Sequence, residues 1–245
     1  MPDNKNRSSD NDLLVFLPAY NEKENVAEIV SRIKKVDIAA DILFIDDSSP
    51  DGTGALLDLL SEQETGVSVI HRPSKSGIGS AHLEALQYAF ENNYNLMITM
   101  DADLTHDPKD IPVFLEHNGH AGVVVGSRYL SGAVDKRKMS EKLASRLSHM
   151  ATKTILGLPW DATNALRLYR LDKIDPFFLS YINSKGYAFF FESLYILRKK
   201  GVKIAEVPAG FSKRKSGSSK MRYREVFCWM AKLLSLRWRI FTNPS

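Results

Sequence analysis

Residues 97–108 read MITMDADLTHDP, an apolar run that ends in two aspartates one residue apart, Asp101 and Asp103. A carboxylate at the end of a buried strand is costly unless something cationic meets it. Two of them set oxygen donors near one point. That suits a hard divalent cation, Mg2+ or Mn2+, which shares its coordination shell with substrate phosphates. The competing reading is that short acidic residues cap turns and helices. Asp107, just before Pro108, fits that role. A helix needs one cap and this stretch supplies Asp101, Asp103 and Asp107, so Asp101 and Asp103 are assigned to a metal. His106 has no HExxH or paired-cysteine context and is expected to be a hydrogen-bonding residue. In IDDSSPDGTGALLDLL (45–60), Asp51 reads as a turn cap, whereas Asp47 is placed to accept hydrogen bonds from a nucleobase. The glycine-rich SKSGIGSA (74–81) is neither a Walker loop nor a GxGxxG fingerprint.

These residues need a scaffold that brings distant strand ends together. Apolar runs at 13–19, 41–46, 67–71, 96–100 and 121–128 read as strands. Helical patterns at 24–36, 54–63, 79–92 and 109–118 lie between them. This rhythm predicts an α/β fold, a mostly parallel sheet flanked by helices. In such sheets ligands bind beyond the carboxyl ends of the strands. Pro18, Tyr20, Asn21 and Glu22, Asp46 and Asp47, Lys75, Asp101 and Asp103, and Arg128 should therefore share one edge. Further on, helices are expected at 140–158, 189–201 and 224–241, with an alternating strand at 202–211.

The chain has 245 residues, 44% of them hydrophobic and 25% charged, the balance of a globular protein. Its single cysteine, Cys228, excludes an internal disulfide framework and suits a reducing compartment. Residues 1–11 are polar and read as a disordered lead-in rather than a signal peptide. No run of 18 apolar residues predicts a spanning helix. The net charge of +4 is gathered at DKRK (135–138), KRKSGSSKMRYR (213–224) and LRWR (236–239), which points to an anionic partner.

LPAYNEKENV, IDDSSPDGT, MDADLTHDP, VGSRY and EVPAGFSKRKSGSSK occur in that order. With these spacings the chain resembles the family 2 glycosyltransferases of the GT-A fold, and within them the polyprenyl-phosphate (dolichyl-phosphate) mannosyltransferases. The likeness runs from about residue 12 to 221, leaving 222–245 as a C-terminal basic amphipathic helix. It implies an inverting enzyme that moves a sugar, mannose from GDP-mannose first of all, onto a polyprenyl or dolichyl monophosphate. Pro18, Tyr20, Glu22, Ile45 and Asp47 would hold the donor's nucleoside. Asp101, Ala102 and Asp103 would face metal and diphosphate, and Arg128 would lie near the phosphates. Arg214 and Lys220 match a basic pair that closes over donor and acceptor phosphate. Asp103, Arg128, Arg214 and Lys220 are thus the expected catalytic set. The chain departs from the family pattern at Ala165 and Leu166, where relatives carry a small residue and Phe, at Phe190, where they often have Gln, and at Ser218, often acidic elsewhere. Those positions bear on the sugar and the lipid.

Helix 224–241 carries Phe227, Trp229, Met230, Leu233, Leu234 and Trp238 among Lys232, Arg237 and Arg239. It can lie in a membrane interface, as can helix 140–158, or both can pack on the sheet. The expected location is the cytoplasmic face of a membrane, held peripherally, with a membrane-embedded partner subunit as a further possibility. Rival readings are a UDP-glucose-dependent polyprenyl-phosphate glucosyltransferase and a non-catalytic binding subunit. No zinc-finger or RRM signature supports nucleic-acid binding.

Overall fold

The computed structural model describes residues 12–117, 119, 121–213 and 223–242. A 7-stranded sheet comprises β1 (Leu13–Ala19), β2 (Ala40–Asp46), β3 (Val67–His71), β4 (Leu96–Thr99), β5 (Val123–Ser127), β6 (Arg167–Arg170) and β7 (Ile204–Pro208). Its spatial order is β3-β2-β1-β4-β6-β5-β7. The helices are α1 (Val26–Lys34), α2 (Thr53–Gln63), α3 (Ile78–Glu91), α4 (Ile111–Glu116), α5 (Met139–Leu156), α6 (Phe189–Lys199) and α7 (Tyr223–Thr242).

The predicted strands form, and β1, β2, β3 and β4 pair in parallel. The predicted helix at 109–118 divides into a 3-10 turn at Pro108–Asp110 and the short α4. One strand was not anticipated. β6 inserts between β4 and β5 and is antiparallel to both. Its sequence, RLYR, offers only four residues with arginine at each end, so no apolar run marks it. Leu168 faces one side of the sheet and Tyr169 the other, each without exposed surface. Arg167 is equally buried. It donates to the carbonyls of Ala162 (2.9 Å) and Asn164 (2.8 Å) and to Ser193 Oγ (3.1 Å), under the Phe190 ring. A buried guanidinium needs such partners. Here they tie the turn at 162–164 to the sheet.

The apolar strand residues alternate between two cores. Leu14, Phe16, Leu43, Ile45 and Met97 meet α3, α6 and the inner face of α7. Leu13, Val15, Leu17, Ile42, Phe44 and Ile98 meet α1, α2 and α4. Covering both faces leaves the carboxyl edge of the parallel strands as the open side. Trp229, Leu233 and Leu236 of α7 are buried in the first of these cores, so α7 packs on the same core as the sheet.

Candidate active site

Along that edge the loops after three strands adopt backbone that side chains rarely take. Asn21 (φ 55°), Ser48 (φ 59°) and Leu104 (φ 64°) are left-handed non-glycine residues. Each costs on the order of 1–3 kcal/mol and persists only where neighbours enforce it. For Leu104 the enforcement is visible. Asp103 Oδ1 accepts from the Thr105 amide at 3.1 Å and from Thr105 Oγ at 2.6 Å, closing the turn around it.

The loops border a cavity of about 970 Å³. Pro18, Tyr20, Glu22, Ile45, Asp47, Asp101, Ala102, Asp103 and Arg128 all line it, so residues up to 110 positions apart in the chain meet there. Arg214 and Lys220 lie outside the described residues. Lys75, also at a strand end, sits 3.5 Å above the Tyr20 ring centre.

Each carboxylate has its own surroundings. Asp47 Oδ1 faces Arg72 at 2.6 Å and accepts from the Ser76 amide at 2.9 Å, while Oδ2 accepts from the Gly77 amide at 3.2 Å. The glycine-rich stretch therefore positions Asp47. Glu22 accepts from Asn25 Nδ2 at 2.7 Å. Asp51 caps as expected, accepting from Thr53 N at 3.0 Å and Thr53 Oγ1 at 2.6 Å. Burial opposes its ionisation, but these bonds win and hold its pKa below the usual range. Asp107 caps the Pro108 turn through the Lys109 amide at 3.1 Å.

His106 is buried, and its Nδ1 accepts from the Asp101 amide at 3.0 Å. A nitrogen that accepts carries no proton, so the 3.8 Å approach of Nδ1 to Asp101 Oδ2 is not an ion pair. Burial pushes His106 down to about 4, so it stays neutral near pH 7. Its task is to hold the Asp101 backbone. That leaves Asp101, partly exposed, and Asp103, buried, as oxygen donors facing the cavity. Among the described residues no group of three or more His, Cys, Asp or Glu is set to hold a metal. The pair fits an ion that draws most of its shell from water and phosphate oxygens, the habit of Mg2+ and Mn2+ rather than of zinc.

Arg128 carries a partner that its sequence neighbourhood did not reveal. Asp161 sits across a bidentate fork, with Nε to Oδ2 at 2.7 Å and Nη2 to Oδ1 at 2.6 Å. The Arg128 amide reaches Oδ2 at 3.2 Å, and Thr163 Oγ1 and Ser145 Oγ take further guanidinium protons. Asp161 has no exposed side-chain surface. Burial works against both charges, yet their attraction lowers the pKa of Asp161 and raises that of Arg128. The pair is nearly neutral as a whole, so Arg128 is an oriented donor more than a free positive charge. Asp161 follows no motif of its own; only its place four residues ahead of the buried Ala165–Leu166 turn hints at it. Ala165 and Phe190, two of the departures from the family pattern, also line the cavity, as do Glu225 and Trp229 of α7.

Known proteins resemble this chain in sequence and in fold. The sequence model of the family described as Glycosyl transferase family 2 matches residues 14–193. The chain is 35% identical over 211 residues to the undecaprenyl-phosphate mannosyltransferase of Micrococcus luteus, covering 85% of this chain and 87% of that protein. It is 35% identical over 212 residues to the polyprenol monophosphomannose synthase of Mycolicibacterium smegmatis, covering 85% and 80%. Among solved structures it is similar to glucosyl-3-phosphoglycerate synthase from Mycobacterium tuberculosis in complex with Mn2+, uridine diphosphate and glucosyl-3-phosphoglycerate. The TM-score is 0.61 at 18% identity, with 92% of this chain and 79% of that one covered. The fold is GT-A, a mostly parallel sheet flanked by helices. By motif order, matched length and shared architecture, this chain belongs to the family 2 glycosyltransferases.

Proposed function

We propose that this chain transfers mannose from GDP-mannose to a polyprenyl monophosphate, with inversion at the sugar carbon. The reading is supported by the names of its two relatives and by one observation: a single cavity carries the Asp101–Asp103 pair and is bordered by α5 and α7, whose outer faces are apolar. Asp101 and Asp103 would hold a divalent ion, Mg2+ or Mn2+. When bound it supplies counter-charge to the leaving nucleoside diphosphate. Pro18, Tyr20, Glu22, Ile45 and Asp47 hold the nucleoside. An oxygen of the acceptor phosphate attacks the anomeric carbon as the bond to the diphosphate oxygen breaks. That phosphate is ionised near pH 7, its second pKa being about 6, so no strong general base is required. Asp161, clamped by Arg128, is in any case committed elsewhere. Arg128, Arg214 and Lys220 orient the two anions against each other. Nucleotide preference is testable by titration. GDP should bind at least about tenfold more tightly than UDP, whereas tighter UDP binding would point to a glucosyl donor and overturn the mannose assignment.

The acceptor enters from a bilayer in this reading. Among the described residues no helix is long and apolar enough to cross a membrane. On α5, Met139, Leu143, Leu147 and Met150 are exposed at helical spacing, and on α7 so are Phe227, Met230, Leu234 and Trp238. The two helices touch, with Arg237 donating to the Ile155 carbonyl at 3.3 Å. Lys138, Lys142, Arg146 and Lys153 accompany the α5 stripe. Such a surface lies in an interface rather than spanning it. The protein should float with vesicles containing phosphatidylglycerol, and the Leu147→Glu/Leu234→Glu variant should not. Equal flotation of both would refute this docking face, and recruitment only with a membrane-embedded subunit would assign the role to that partner.

A further inference from the structure

Helix α7 does more than present an outer face. Its Glu225 and Trp229 line the cavity, and the Trp229 ring meets Phe191 edge-on at 5.1 Å. One turn on, Lys232 Nζ lies 2.6 Å from Glu192 Oε1, and the Glu192 side chain has no exposed surface. This carboxylate serves a second segment. It accepts from the Asn183 amide at 3.3 Å through Oε1 and from the Ser184 amide at 2.9 Å through Oε2. The next two residues of that loop abut the start of α3. The Lys185 carbonyl accepts from the Ser80 amide at 3.1 Å, and a Cβ on Gly79 would come within 2.6 Å of the Gly186 carbonyl oxygen. Just ahead of α3 are the Ser76 and Gly77 amides that hold Asp47. One buried carboxylate is therefore the post for two walls of the cavity.

We infer that Glu192 and Lys232 are positioning residues for transfer. Their ion pair fixes the register of α7, and with it the wall made by Glu225 and Trp229. The two amide contacts of Glu192 fix loop 183–186 and, through it, the turn that holds Asp47. Apolar packing of Trp229, Leu233 and Leu236 alone is non-directional and tolerates sliding. An ion pair whose carboxylate is fully buried and hydrogen-bonded does not, and setting register is the best-attested use of such pairs. The inference rests on the reading above that polyprenyl phosphate reaches the cavity from the bilayer-facing side formed by α5 and α7, so α7 is the acceptor-side wall and loop 183–186 the donor-side one.

The two residues then have different signatures. Lys232→Met should raise KM for polyprenyl phosphate about tenfold, keep kcat within about threefold, and leave GDP affinity unchanged, with Lys232→Arg restoring the parent KM. Glu192→Gln should raise the same KM and also weaken GDP binding about fivefold or more, although Glu192 does not line the cavity. A merely structural pair would lower the folded fraction and kcat while leaving both KM values alone. If Lys232→Met does not fold because Glu192 is left unpaired, Glu192→Gln/Lys232→Met removes both charges and should show the same rise in KM. Parent KM values in a folded variant, or loss confined to kcat, would overturn the inference. The GDP titrations need no transfer, so they separate failure of this positioning from failure of the mannosyl-transfer reading itself.

Discussion

Asp103→Asn is expected to lower kcat by about three orders of magnitude while the thermal midpoint stays near that of the parent, because the loss is several kcal/mol of leaving-group stabilisation. The geometry makes asparagine the informative substitution. Its Oδ1 can still accept from the Thr105 amide and hydroxyl, so the turn that enforces the left-handed Leu104 survives. What disappears is the negative charge that faces the cavity. Asp103→Ala removes charge and turn together and confounds the two. Steady-state kinetics beside a thermal unfolding curve decide the matter. An asparagine variant with parent kcat would mean that Asp103 is only a turn former and that no metal depends on it.

The second large effect belongs to the Arg128–Asp161 pair. Arg128→Met leaves a carboxylate with no exposed surface and no counter-charge. Breaking a buried pair in this way costs about 3–5 kcal/mol, which lowers the melting temperature of a chain this size by about 6–20 °C. Arg128→Met/Asp161→Asn removes both charges and should recover most of the stability but none of the activity, since the oriented guanidinium is gone. Recovery of both would make the pair structural alone. The pair also has a pH signature. Asp161 has a folded pKa below its unfolded value of 3.8, so its contribution is complete above that value and is lost as pH falls through the lower folded one. The raised pKa of Arg128 makes its contribution complete at every pH below its unfolded value, far above the acid range. Acid unfolding curves of the parent should therefore fall more steeply below about pH 4 than those of the double variant.

The strand ends were legible because each chemical residue follows an apolar run that could only be a buried strand, and parallel strands in this class open at their carboxyl ends. That is why Tyr20, Asp47 and Asp101, remote in sequence, meet in one cavity. What escaped was whatever depended on partners rather than on periodicity. β6 is four residues long and bounded by arginines, and it becomes a strand because Arg167 finds carbonyls to satisfy it. Asp161 and Arg72, which hold Arg128 and Asp47, belong to no run or motif and are visible only once the chain is folded. α7 was legible as amphipathic, but two outcomes looked exclusive that the structure combines. Its Trp229, Leu233 and Leu236 face packs on the core while Phe227, Leu234 and Trp238 remain exposed. A helix with apolar residues around most of its circumference gives no sequence signal for which side is covered.

In the proposed reaction Asp101, Asp103 and their cavity pass mannose from GDP-mannose to a lipid phosphate. Its most direct test mixes purified protein, radiolabelled GDP-mannose, Mn2+ and polyprenyl phosphate, and counts label in the organic phase. Label should enter that phase, and should be lost with EDTA and in Asp103→Asn. Folded, vesicle-bound protein that moves no label, or moves it undiminished in EDTA, would overturn this metal-dependent mannosyl transfer.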